Sequence, residues 1–102
     1  MIILAQETST KIASLAIYKD GTTLCEIILN TDETHSTKLL PTLKFMLQNS
    51  KIELSEIDIF ATTIGPGSFT ALRIGLSFIK ALAFSLKKRV YILSSLKLLA
   101  LN

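Results

Sequence analysis

The sequence predicts an α/β protein built on a mixed β-sheet, in the element order β-β-β-α-β-α-β-α. Three observations predict it. Residues 1–30 contain apolar segments with the two-residue period of strands, separated by turn residues. Two later segments have apolar residues at helical spacing, and a short β-rich segment follows each of them. A meander followed by such units predicts a sheet extended by right-handed β-α crossovers, with helices on at least one face.

The opening predicts an antiparallel meander of three strands. Residues 1–6 are apolar, and residues 7–10 form a polar, hydroxyl-rich turn. Residues 12–18 alternate between two largely apolar faces, as expected of a strand in a covered sheet. The Asp20-Gly21 dipeptide is a hairpin turn signal, after which residues 23–29 return as the third strand.

The first helix is predicted from about residue 34 or 36 to residue 50. Its main apolar side consists of Leu39, Leu43 and Met46, with Leu47. Pro41 is compatible only with the first helical turn, where its missing N–H would have no partner. We therefore expect either a start near residue 37 or a kink.

A buried strand at 57–64 is expected to lead through a glycine-rich loop into a long helix ending near residue 88. This helix is apolar on two sides, so one side covers the sheet and the other requires a further partner. The first stripe comprises Leu72, Leu76, Ile79, Ala83 and Leu86, and the second Ile74, Phe78, Ala81 and Leu82. A short strand at 90–93 and a final helical segment at 96–101 complete the order.

The composition is apolar for so small a protein. Of 102 residues, 49% are hydrophobic and 19% charged, and the mean hydropathy is +0.49. A body of this size buries only about 65% of its extended surface, which suffices for one small core. We therefore expect an apolar patch for a partner, or a missing part of the protein.

Charge and targeting signals exclude several classes. The net charge is +3, from 11 Lys and Arg against 8 Asp and Glu. Apart from Lys87-Lys88-Arg89, the cations are scattered without interleaved aromatic residues, so direct RNA binding by this chain is not favoured. No apolar run of about 18 residues would span a bilayer, and the amino terminus lacks the basic region of a signal peptide. We expect a cytoplasmic protein without membrane contact.

Two segments are candidates for phosphate chemistry. The loop GPGSFT lacks the Walker Lys and departs from G-x-G-x-x-G at Thr70, but a strand ending in Gly-Pro-Gly before a helix leaves free N–H groups. Its candidate anion-binding residues are Gly65, Gly67, Ser68, Phe69, Thr70 and Arg73. The second candidate is the carboxylate of Glu7 beside the hydroxyls of Thr8 and Thr10. Tight packing for the loop and ordinary turn chemistry for the hydroxyls are the structural alternatives.

Metal and nucleophilic chemistry are not expected. The chain has one cysteine, Cys25, and one histidine, His35, which together cannot form a zinc site or an intrachain disulfide. No G-x-S-x-G elbow surrounds Ser68, and no carboxylate is spaced to orient His35 in a triad. We expect no metal site.

The segment GPGSFTALRIG closely resembles the GxGPGSFTGLRIG signature of the TsaB (YeaZ) family, whose members act in threonylcarbamoyladenosine synthesis in tRNA. The opening IILAQETSTKIASLAIYKDG and the segment from His35 to Leu39-Leu40-Pro41 are also similar to that family's sequences. The resemblance runs from Met1 to the last Ser-x-Leu segment. Three residues depart from it: Gln6 replaces an apolar residue, Glu7 an Asp, and Ala71 a Gly.

The resemblance implies an RNase H-like, actin-like ATPase (ASKHA) lobe. Because family members are about twice this long, residues 1–102 would be a single amino-terminal lobe, with the second lobe absent. The implied function is a non-catalytic scaffold for TsaD, which transfers threonylcarbamoyl to the tRNA adenosine next to the anticodon. TsaE would be the third component. The resemblance also implies no intrinsic enzymatic activity and no cofactor on this chain, with ATP and metal on TsaD and tRNA bound only through the complex.

The family's partner interface implies a set of contact residues. The helices after the third and fourth strands build a bundle with TsaD, or a homodimer when TsaD is absent. On this chain, the implied interface residues are Leu39, Leu43, Met46, Leu72, Leu76 and Ile79, and aspartate at Met46 or Leu76 is expected to keep the fold but abolish association. The alternative is a nucleotide-binding ATPase or kinase lobe that uses Glu7, Thr8 and Thr10 for phosphate or Mg²⁺.

Overall fold

A computed structural model of the chain describes residues 1–8, 12–30, 37–63 and 69–93, and the side chains of Thr8 and of residues 69–72 are outside that description. Five strands and two α-helices alternate much as the sequence predicts. Their bounds are β1 Ile2–Thr8, β2 Ile12–Lys19, β3 Thr22–Asn30, α1 Leu39–Ser50, β4 Ile59–Thr63, α2 Phe69–Leu86 and β5 Arg89–Leu93, with a 3-10 turn at Leu54–Glu56 before β4. The helix predicted at 96–101 lies outside the described residues.

The strands form one mixed sheet in the order β3-β2-β1-β4-β5. β1, β2 and β3 pair antiparallel, whereas β4 pairs parallel to β1 and β5 parallel to β4. In this register, Ala5 of β1 lies beside Ala16 of β2 and Ala61 of β4. The meander and the crossovers predicted from the sequence are confirmed, and β1 occupies the centre.

The hairpin between β2 and β3 turns at the predicted Asp-Gly pair. Both residues have positive φ, 52° at Asp20 and 83° at Gly21, as the tight turns that match strand twist require. The Asp20 carboxylate also accepts a 2.7 Å hydrogen bond from the Met1 ammonium, and this ion pair lowers the pKa of Asp20. The turn therefore holds the start of β1 against the end of β2.

Both helices end in the same way. Lys51 after α1 and Lys87 after α2 have φ of 55° and 57°, a left-handed conformation that closes a helix. In α1, the N–H of Ile52 donates to Leu47 O at 3.1 Å, and in α2 that of Lys88 donates to Ala83 O at 2.9 Å. At the other end of α1, Pro41 is the third helical residue, so the predicted first-turn position is confirmed.

The two helices cover one face of the sheet. Successive strand side chains point to opposite faces, and the face of Leu4 and Phe60 receives both helices. α1 packs on β2 and β3, and α2 packs on β1, β4 and β5. The resulting core is a single cluster that includes Leu15, Ile17 and Ala83. Among the described residues, no helix is long and apolar enough to cross a membrane.

Candidate functional site

The apolar side of α1 that was expected to contact a partner is the side that packs on the sheet. Leu39, Leu43 and Met46 are at most 1% exposed and belong to the core cluster. The prediction that these three side chains form a partner interface is therefore wrong. The substitution Met46→Asp would place a carboxylate in the core and would not preserve the fold.

α1 presents a second, smaller apolar set to solvent. Leu40 is 45% exposed and Phe45 is 56% exposed, and Lys44 lies exposed between them. These residues were not predicted as a site, because the sheet takes the most continuous apolar stripe of the helix. The signal that would have found them is a large aromatic residue, Phe45, out of phase with that stripe.

α2 follows the same pattern. Ile79 is fully buried and Leu76 is half-buried, so the interface prediction is wrong for Ile79, and the side chain of Leu72 is outside the described residues. The second apolar stripe was expected to need a further partner. Its residues Ile74, Phe78 and Leu82 are instead partly buried against the core of this chain. Only Ala81 of that stripe is exposed.

Among the side chains of α2 that the structure describes, the large apolar residue left in solvent is Phe84, which is 87% exposed. Lys80, one helical turn earlier, is also exposed. Because both helices lie on one face of the sheet, their solvent sides form a common surface. We call this surface the outer helical face and define it by Leu40, Lys44, Phe45, Lys80 and Phe84.

A buried polar cluster joins β1 and β4 below α2. Gln6 and Thr62 are neighbours in the parallel register, each 1% exposed, and the Thr62 hydroxyl donates to Gln6 Oε1 at 2.6 Å. Gln6 Nε2 has no hydrogen-bond partner within the described part of the chain. A Cβ added to Gly75 of α2 would lie 2.7 Å from Gln6 Cδ. Glycine is therefore needed at position 75 because α2 crosses directly over the Gln6 amide.

The chain is similar to known proteins along most of its length. The family model for TsaD, tRNA N6-adenosine threonylcarbamoyltransferase, matches residues 22–102. The chain belongs to this family. Within it, the TsaB of Buchnera aphidicola from Schizaphis graminum, a tRNA threonylcarbamoyladenosine biosynthesis protein, is 37% identical over 97% of this chain and 47% of its own length. The TsaB resemblance seen in the sequence is thereby confirmed.

Solved structures agree with this assignment. YeaZ from Pseudomonas aeruginosa superposes with a TM-score of 0.85 at 34% identity, covering 97% of this chain and 46% of that one. A Bacteroides thetaiotaomicron protein with an actin-like ATPase fold superposes with a TM-score of 0.58 at 13% identity, covering 98% of this chain and 36% of that one. The second likeness concerns the fold alone, and it confirms the predicted fold class. The chain spans about half the length of these TsaB and YeaZ relatives.

The glycine-rich segment that resembles the TsaB signature is only partly described. Gly65, Gly67 and Ser68 lie outside the described residues, as do the side chains of Phe69 and Thr70. The backbone of α2 begins at Phe69, six positions after Thr63, the last residue of β4, and Arg73 is exposed on its second turn. Anion binding by this loop therefore stays a prediction.

The acidic candidate of this TsaB-family chain lies at the end of β1. The strand continues through Thr8 rather than ending at residue 6, because Glu7 pairs with Ser14 and Thr8 with Ala13. Glu7 is exposed, whereas the side chain of Thr8 and all of Thr10 lie outside the described residues. On the same sheet face, burial and then the carboxylates of Glu26 and Glu7 raise the pKa of Tyr18. Phosphate or Mg²⁺ binding here also stays a prediction.

Proposed function

We propose that this chain is the amino-terminal lobe of a non-catalytic, cytoplasmic subunit that binds a TsaD-type threonylcarbamoyltransferase through its outer helical face. The modification of tRNA adenosine would then take place on the partner, which carries ATP and metal, with TsaE as a third component. The observation that carries the proposal is Phe84, 87% exposed on α2 of a chain whose relatives are named for threonylcarbamoyladenosine biosynthesis.

The physical argument starts from the cost of leaving aromatic side chains in water. Phe45 and Phe84 are exposed on two helices that cover the same sheet face, and Leu40 of α1 is also exposed. Single exposed apolar residues are ordinary, but aromatic residues gathered on one face are typical of interfaces, where they contribute much of the binding energy.

A TsaD-type partner is supported by the relationship between the chains. The family model that matches residues 22–102 is the one for TsaD itself. Homologous lobes carry equivalent helices, so α1 and α2 of this chain would pack against the corresponding helices of TsaD about a pseudo-twofold axis. The same geometry would allow a homodimer when TsaD is absent.

The proposal is tested with the double variant Phe45→Ser/Phe84→Ser. Both side chains are exposed, so the fold should persist, while the affinity for TsaD from the same genome should fall by at least about tenfold. The matched control is Ile28→Ser, because Ile28 is 63% exposed but lies on β3, outside the helical layer. Titration calorimetry measures the dissociation constants. An unchanged affinity of the double variant would eliminate this face as the interface.

The nucleotide-binding alternative is tested on the same preparation. Glu7 is an exposed carboxylate near the carboxyl end of the central strand, the edge at which open α/β sheets commonly bind ligands. The scaffold role predicts no heat of binding when ATP and Mg²⁺ are titrated into this chain alone. Micromolar binding that Glu7→Gln abolishes would support a nucleotide-binding lobe instead.

A further inference from the structure

The helical layer carries charge of one sign. The twelve residues of α1 and the eighteen of α2 include Lys44, Arg73 and Lys80 but no Asp or Glu. Lys51 and Lys87, the residues that close the two helices, are also exposed. Lys44 and Lys80 lie on the outer helical face itself and form no ion pair with any described residue. This face is therefore both aromatic and basic.

The described carboxylates lie elsewhere. Glu7 pairs with Ser14 and Glu26 with Ala16, so both belong to the sheet face opposite the helices. Glu53, Glu56 and Asp58 follow α1 in the segment that leads into β4. Glu56 bonds back to the N–H of Glu53 at 3.0 Å, which keeps that carboxylate within its own turn. Within α1 and α2, the lysines of the outer helical face therefore have no acidic neighbour on their own helix.

We infer that the charge of the outer helical face selects an acidic, apolar surface on the TsaD-type partner and disfavours a second copy of this chain. The inference rests on the proposed function, since it concerns the same face. In a twofold homodimer, Lys44 and Lys80 of each copy would approach those of the other, and like charges at an interface oppose association. A partner with carboxylates opposite these lysines would be attracted to this face, whereas a second copy of this chain would be repelled by it.

The two associations must therefore respond to salt in opposite directions. Screening shortens the range of charge interactions to about 8–10 Å near physiological ionic strength and further at higher salt. Added salt weakens the attraction between this face and an acidic partner. It also weakens the repulsion between two copies, so self-association should strengthen.

The experiment compares wild type with Lys44→Gln/Lys80→Gln, which removes two charges and keeps long polar side chains. Affinity for TsaD and for self is measured from about 0.05 to 0.5 M NaCl by biosensor binding and by sedimentation equilibrium. We expect wild-type affinity for TsaD to fall about tenfold over this range, and the variant to bind about tenfold more weakly at low salt with a flatter dependence. The variant should also dimerise more readily than wild type at low salt. Lys19→Gln, which removes an exposed charge at the far end of β2, is the control.

The possible outcomes separate this inference from the proposed function. If Phe45→Ser/Phe84→Ser weakens TsaD binding but salt and the lysine variant do not, the interface stands and the charge selection is overturned. If neither variant affects TsaD binding, the proposed function itself fails. Isolated tRNA could instead bind this chain more tightly than TsaD does, with Lys44→Gln/Lys80→Gln abolishing that binding. The outer helical face would then be a nucleic-acid-binding surface, and the inference would be overturned.

Discussion

At the scale of single residues, the contact between Gly75 and Gln6 fixes how closely α2 approaches the sheet. The Gln6 amide is the end of a flexible side chain, which would ordinarily yield to a neighbour. Here it is 1% exposed and holds the Thr62 hydroxyl at 2.6 Å. Moving it would break a buried hydrogen bond and leave both groups without a partner. The position of the buried Gln6 amide is thus coupled to a glycine on another element.

Gly75→Ala is expected to destabilise the fold by up to about 2 kcal/mol. Alanine favours helix over glycine by about 1 kcal/mol, but overpacking against the buried amide costs about 1–3 kcal/mol. The same change in a Gln6→Ala background should be neutral or stabilising, since the obstructing atoms are gone. Guanidinium unfolding of the four proteins measures the coupling between the two sites. Equal effects of Gly75→Ala in both backgrounds would show that the contact does not limit the helix position.

At the scale of elements, two adjacent residues of α1 have opposite environments, one in the core and one in solvent. Met46 is fully buried in the core, and Phe45, the preceding residue, is 56% exposed. Met46→Ala should cost about 2–5 kcal/mol of stability, because it leaves a cavity under the helix. Phe45→Ala should change stability by less than about 0.5 kcal/mol while weakening association. Thermal unfolding and TsaD binding are measured on both variants. Similar effects of the two substitutions on stability and on binding would contradict the assignment of Met46 to the core and Phe45 to the interface.

The elements themselves were largely predictable from the sequence. The Asp20-Gly21 turn requires positive φ, and Pro41 restricts where α1 begins, so local chemistry determines both features. The strand β1 was predicted too short because Glu7 and Thr8 are polar. Their backbone groups pair with β2 regardless of the side chains.

The candidate site was less predictable, for a physical reason. When a helix has apolar residues on two sides, the sequence alone does not determine which side packs on the sheet. Met46 and Ile79 were therefore assigned to a partner although they form the core. Phe84 belongs to neither stripe, so only the packed structure reveals it as exposed.

At the scale of the whole molecule, the sheet and both helices share one core cluster. Leu4 on the central strand and Phe60 on β4 are fully buried in it together with residues of α1 and α2. Tyr18 lies on β2 and Tyr91 on β5, on either side of the pair β1 and β4. The two tyrosines, the only ones in the chain, thus report on opposite parts of the sheet.

One shared core predicts that the chain unfolds as a unit. In Tyr18→Phe the tyrosine fluorescence comes from Tyr91 alone, and in Tyr91→Phe it comes from Tyr18 alone. For each variant, the guanidinium midpoint from tyrosine fluorescence should agree within about 10% with the midpoint from far-UV circular dichroism, as two-state unfolding requires. Comparing each variant with its own dichroism curve controls for any stability change caused by the substitution. An earlier transition at Tyr91 would mean that β5 and α2 detach before the meander, and that the core visible in the structure is not cooperative.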